Sequence, residues 1–323
     1  MTRDIHQPYD FFEYVRSGDD SVPPADRAKI DVAILDMNHS WPNLGHDSLV
    51  HAVLEAAEEL RSDLVARRLK VRVISFDIRR RLQIPESPNG RFQLYIGTGG
   101  PGHLDPREND GKKPYSQGIA ETADWEAPLF RLFDSIAAHP TAALIAVCHS
   151  FGLMCRWSGA ARPELRAEKS SGMPLNVLTD DAATDPWFSQ FAAQLPDRRH
   201  FRVVDNRLFD LVVDRSTGRP IAFESEGSSV LTMLDFADAD GVPRVLGVNH
   251  HPEIVDREHI LNVLEEKRSH GEVDDAWFRE RAHTLVSLFQ NENEPQSRLT
   301  SRFTLLDPLR HHIGRIVRER SRG

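Results

Sequence analysis

Apolar residues along the chain group first into short runs and later into helical stripes. Residues 29–36 form a Val- and Ile-rich run with the length and composition of a strand buried on both faces. Turn residues follow over 37–45. From Ser48 to Arg68, the positions Leu49, Val53, Ala56 and Leu60 recur at the spacing of one helix face, which predicts a helix. Further strands are predicted over 71–76, 92–97 and 142–147, with a helix over 125–138 leading into the last. Strands alternating with helices imply an α/β fold whose sheet is open, mainly parallel and covered by helices on both faces.

The second half is richer in short strand candidates, at 175–178, 201–204, 209–213, 221–224, 230–234 and 245–248. From about Asp256 the pattern becomes helical, through Ile260, Val263 and Leu264 and then Trp277, Phe278, Leu285 and Leu288. A polar run over 290–295 interrupts it before a last helix carrying Leu305, Leu309, Ile313 and Ile316, the kind of stripe that packs on a core. Residues 1–28, with Pro23-Pro24 and no clear periodicity, read as an arm. The expected organisation is an N-terminal arm over 1–28, one domain over 29–258 and a helical extension over 259–323.

Composition narrows the class. The chain has 323 residues, 40% hydrophobic and 28% charged, the profile of a soluble globular protein. No stretch approaches the roughly 18 apolar residues of a membrane helix, and the first residues lack the apolar run of a secretory signal. Cys148 and Cys155 make neither a disulfide framework nor a paired zinc motif, so a reducing cytoplasm is the expected compartment. A net charge of −9 argues against broad nucleic-acid binding. Arg310, Arg315, Arg318, Arg320 and Arg322 form a basic tail, readable as a solvated helix face or as a contact for an acidic partner.

Three segments carry candidate chemistry, each at or just beyond the C-terminal end of a predicted strand, where open α/β sheets build their sites. Gly97-Thr98-Gly99-Gly100-Pro101-Gly102 can bring backbone N–H groups close to a ligand or to an oxyanion. By itself it is also an ordinary tight turn. Cys148 follows the strand 142–147 directly, at a strand-to-helix turn where free N–H groups and the helix dipole favour negative charge. The same residue could equally be a small buried hydrophobe. In the third segment, His251-Pro252-Glu253, a carboxylate two residues from an imidazole can fix its tautomer and leave the other nitrogen to take a thiol proton. Alternation should turn the neighbouring His250 to the opposite side of its strand. A metal site on His250 and His251 is a lesser reading, because no further ligands of suitable spacing accompany them.

In this order, a glycine-rich turn, a strand-elbow cysteine and His-Pro-Glu resemble class I glutamine amidotransferases over roughly residues 29–256. The segment 169–179 resembles the place where those domains carry a glycine followed by a Pro-hydrophobic strand start. The resemblance implies a flavodoxin-like amidotransferase fold with the helical extension appended. It also implies that Cys148 attacks a glutamine carboxamide to form a thioester, while His251 acts as base and then acid, oriented by Glu253. The amides of Gly100 and His149 would form the oxyanion hole, a contribution of roughly 3–4 kcal/mol per donor. Gly99, Gly152, Ser171 and Gly172 are weaker substrate-binding candidates.

The departures are informative. Ala146 and Ser150 stand where the family has glycines, and Gly152 stands where it has a substrate-holding glutamine. A polar stretch around 105–123 reads as an inserted loop. The expected substrate is a small-molecule carboxamide, glutamine or a γ-glutamyl-type amide. No cofactor and no metal are expected. A separate synthetase subunit could receive the ammonia, and homo-oligomerisation is open. Two other readings stand beside this one: a serine hydrolase using Ser150 within Cys148-His149-Ser150-Phe151-Gly152, and a non-catalytic binding module of the same fold.

Overall fold

A computed structural model of the chain describes residues 3–17, 22–40, 43–88, 90–215, 217–289 and 293–320. Trp41 and Pro42 of the turn after the first expected strand, Gln290, Asn291 and Glu292 of the polar break, and Arg322 of the basic tail lie outside the described residues.

The strands among the described residues are β1 (Phe12–Arg16), β2 (Lys29–Asp36), β3 (Lys70–Asp77), β4 (Phe92–Gly97), β5 (Ala143–Val147), β6 (Ala161–Gly172), β7 (Leu175–Leu178), β8 (His200–Arg202), β9 (Asp205–Val213), β10 (Arg219–Phe223), β11 (Leu231–Ala239) and β12 (Val242–Val248). One large sheet has the order β1-β3-β2-β4-β5-β12-β11-β10-β7-β8, while β6 and β9 pair apart from it. From β1 to β12 the neighbours run parallel. From β12 to β8 they run antiparallel. The α/β architecture expected from the alternation is present. The parallel strands are buried along their length, as continuous apolar runs covered on both faces must be.

Several boundaries differ from the expectation. The helix expected over 48–68 is Leu44–Glu59 followed by a short Arg61–Ala66, because the Asn43 side chain caps it four residues earlier by accepting from the His46 N–H. The stretch 1–28, expected as an arm, holds β1 at one edge of the main sheet, with Phe11 and Phe12 fully buried. Its ladder partner lies some sixty residues away, so local periodicity carried no sign of it. β6 was not expected either. Arg162, Glu164, Arg166 and Glu168 alternate there with Pro163, Leu165 and Ala167, a short and largely exposed apolar set, and cross-strand pairs hold it to β9: Arg166 with Asp210, and Ser170 with Asp205 at 2.6 Å.

The C-terminal helices are part of the body. In Asp307–Arg320, Leu309, Ile313, Ile316 and Val317 enter the core beneath helix 44–59. Three of the basic residues are engaged within the chain: Arg310 pairs with Glu59, Arg315 donates to the Thr141 carbonyl, and Arg320 donates to the carbonyls of Arg27 and Lys29. An acidic partner is not needed to account for the tail. No helix among the described residues is long and apolar enough to cross a membrane.

Candidate active site

β4, β5 and β12 lie side by side, and each delivers one piece of the site at its C-terminal end. Register pairs Gly97 with Ala146 and Val147 with Val248, so the glycine turn, the cysteine and the histidine segment become neighbours once the sheet forms.

Cys148 caps helix His149–Ser158 with φ 50° and ψ −104°, a left-handed conformation that residues with a Cβ rarely adopt. Two bonds hold it there: its N–H donates to the Val248 carbonyl at 2.7 Å, and its own carbonyl accepts from the Gly152 N–H at 3.0 Å. A Cβ on Gly99 would lie 3.0 Å from Cε1 of His251 and 3.6 Å from the Cβ of Cys148. Imidazole and cysteine therefore converge on ground that only a glycine leaves free.

His251 Nδ1 is 2.8 Å from Oε1 of Glu253, whose side chain is buried. The backbone N–H of His251 donates to the Val204 carbonyl at 2.8 Å, fixing the segment against the start of β9. Burial works against charge on this ring. The Glu253 carboxylate and then the Cys148 sulfur outweigh it and hold the His251 pKa well above its ordinary value. Nε2 makes no hydrogen bond. With Nδ1–H given to the carboxylate, that nitrogen is free to exchange a proton. His250 is buried beside Phe201, and burial, with His251 and Arg207 nearby, pushes its pKa down to about 3. It is a neutral packing residue.

His149 is the first helical residue, so its N–H has no partner within the helix. Its ring bonds the backbone of Gly100, and burial, reinforced by Arg79, keeps that ring neutral. Gly100 and His149 both line the cavity of about 190 Å³ that contains Cys148 and His251. Ser150 is elsewhere. Its buried hydroxyl donates to the Thr98 carbonyl at 2.6 Å, so its proton goes to the backbone rather than to an imidazole. That removes the geometry the serine reading requires.

Gly152 lies outside the cavity. A Cβ there would meet the δ carbons of Leu104 at 2.6 and 2.7 Å, so the substrate contact expected at 152 is not made. Ser171 and Gly172 line a second chamber of about 200 Å³, which also borders His251, Trp277 and Leu285.

Sequence reasoning missed Arg79, which sits in an arginine run that looks solvated. Its side chain is buried, pairs with both oxygens of Glu121, and donates to the carbonyls of Met37 at 2.9 Å and Pro101 at 2.7 Å. It ties the glycine turn to the inserted loop. Also missed were Lys169, Arg207 and Arg281, the cationic side chains on the cavity wall. Charged residues on a polar strand or an exposed helix gave no pattern that could have marked them.

No protein-family model matches the sequence, and no curated protein matches it. Among solved structures the chain is similar to SMU.1228c, with a TM-score of 0.50, 19% identity, and coverage of 86% of this chain and 98% of that one. A glutamine amidotransferase from Thermotoga maritima aligns at TM-score 0.49 and 13% identity, over 89% of this chain and 98% of that one. A glutamine amido transferase from Methylobacillus flagellatus aligns at 0.47 and 14%, over 90% and 95%. At 19% identity the likeness to SMU.1228c is one of fold alone.

Proposed function

We propose that the protein cleaves a carboxamide, glutamine or a γ-glutamyl-type amide, through a thioester on Cys148. The observation that carries this reading is the convergence of Cys148 and His251 over Gly99, with the imidazole held by Glu253 at 2.8 Å. The sulfur attacks the carboxamide carbon while its proton is held by His251. The C–N bond then breaks as His251 protonates the departing nitrogen, and ammonia leaves. Water, deprotonated by the same imidazole, attacks the thioester and releases the acid and the thiol. In both steps the amides of Gly100 and His149 receive the negative oxygen. Glu253 keeps Nδ1 protonated, so that Nε2 faces the reaction.

This division of labour also explains the neighbouring histidine. His251 is raised by its carboxylate and can carry a proton, whereas His250 is depressed and cannot. A diazoketone analogue of glutamine tests the reading. Labelling is expected at Cys148, unchanged in Ser150→Ala and lost in Cys148→Ala. Labelling that persists in Cys148→Ala would overturn it. Ammonia release, measured with and without added lysate, then separates a stand-alone hydrolase from a donor to a separate synthetase subunit.

A further inference from the structure

Position 152, a glycine where the resembling family holds its substrate with a glutamine, leaves no room for a side chain, because Leu104 occupies that ground. The loop that brings Leu104 also brings Gln117. This residue stands at φ 50°, just beyond a short 3₁₀ turn over Pro114–Ser116, and lines the cavity together with Cys148 and Gly100. Its Oε1 accepts the Gly102 N–H at 2.8 Å. A backbone N–H can be met only by the oxygen, so the orientation of the amide is settled and Nε2 is its free end. That nitrogen has no protein partner among the described residues. Asn249 lines the same cavity, is 3% exposed, and has its Nδ2 buried without a hydrogen bond. A buried donor left unmatched is costly, so this one calls for an acceptor from outside the chain. Lys169 and Arg281 line the same cavity, together with Arg207, whose guanidinium is paired with Glu224 and Asp205.

We propose that Gln117 and Asn249 together take the carboxylate end of the substrate, with the inserted loop supplying the contact that position 152 cannot. The proposal rests on the reading of Cys148 as the nucleophile. Both amides are positioning residues that hold the far end of the molecule while its carboxamide meets Cys148. The cations of the wall steer the anion inward, and the two neutral amides fix where it sits. A substrate of this class is a carboxamide bearing a carboxylate a few bonds from the reacting carbon.

Gln117→Glu separates recognition from bracing, because a carboxylate oxygen still accepts the Gly102 N–H while the donor becomes a negative acceptor. The probes are two chloromethyl ketones. One carries a carboxylate two methylene groups from its carbonyl, and the other ends in a methyl group. Alkylation is read at Cys148 by peptide mass spectrometry; Cys155 is fully buried and its thiol pKa is raised well above the ordinary value, so it stays silent. In wild type the anionic ketone is expected to react faster. In Gln117→Glu its rate constant is expected to fall about 10- to 100-fold, the scale of a charge-assisted hydrogen bond, with the neutral ketone changed by less than about twofold. Gln117→Ala should fall between wild type and Gln117→Glu. An unchanged ratio of the two rates in both variants, with Cys148 still alkylated, overturns the proposal. Equal loss with both ketones also overturns it, since Gln117 would then only brace the turn. Failure of either ketone to alkylate Cys148 in wild type removes the nucleophile reading itself, and this proposal with it.

Discussion

The parallel half of the sheet and the outer wall of the cavity are built on opposite terms. β2, β3, β4 and β5 are buried along most of their length, and the residues proposed to carry the chemistry sit at the ends of β4, β5 and β12. The β6–β9 ribbon and the loop over 103–121 are mixed in character, held by ion pairs and side-chain bonds as well as by Phe209 and Leu211, and they line the outer side of the cavity. A reacting group needs a fixed place, which close packing provides. Recognition needs charge and shape that can change without disturbing the core. The difference separates the two: the proposed cysteine, histidine and glutamate rest on the buried sheet, and the cavity wall rests on elements that can vary without disturbing it.

Substitutions on the buried side should have the largest effects. His251→Ala removes the proton carrier, and single-turnover amide cleavage is expected to fall about 10⁴-fold or more. Retention of most activity would detach the chemistry from the end of β12. Glu253→Gln comes next, with a loss of about 10³-fold and a shift in pH dependence. The carboxylate is the foremost group opposing burial at His251, so without it the ring should lose its proton at lower pH. A raised folded pKa contributes stability that is fully present below the unfolded value near 6.5 and is lost as pH rises through the folded value. The stability gap between wild type and Glu253→Gln should therefore be widest in acid and close on the alkaline side. An NMR titration of the ring and denaturant midpoints across pH check both statements.

Arg79→Met tests the tie between the two regions. It leaves the Glu121 carboxylate buried without its guanidinium, at an expected cost of about 3–5 kcal/mol in urea unfolding. A double variant that adds Glu121→Gln should recover part of that loss. On the ribbon, Arg162 and Glu164 form a solvent-exposed pair at 2.6 Å, and Arg162→Ala should cost less than about 0.5 kcal/mol. A loss several times larger would mean that the ribbon is a structural element of the same rank as the sheet.

What the sequence made legible follows the same line. Continuous apolar runs marked β2, β4 and β5 to within a residue, because burial on both faces leaves no polar alternation to confuse the reading. Cys148, His251 and Glu253 stood out because strand ends are visible and the three residue types are chemically distinctive. β1 was missed because its partner is distant, and β6 because Pro163, Leu165 and Ala167 make only a short, largely exposed apolar alternation with its charged residues. Arg79 and Gln117 were missed for a different reason. Their contacts are made in three dimensions, Arg79 to the Met37 and Pro101 carbonyls and Gln117 to the Gly102 N–H, which no spacing in the chain announces.

The central claim is a covalent one, and the most direct measurement is to trap it. Wild-type protein is mixed with glutamine or a γ-glutamyl amide, quenched in acid and digested, and the peptide containing Cys148 is weighed. A glutamyl adduct that hydroxylamine removes is expected on that peptide. In His251→Ala it should form far more slowly, and in Cys148→Ala neither adduct nor turnover should appear. Amide turnover that proceeds at an undiminished rate in Cys148→Ala, with no adduct on that peptide in wild type, would contradict the thioester outright.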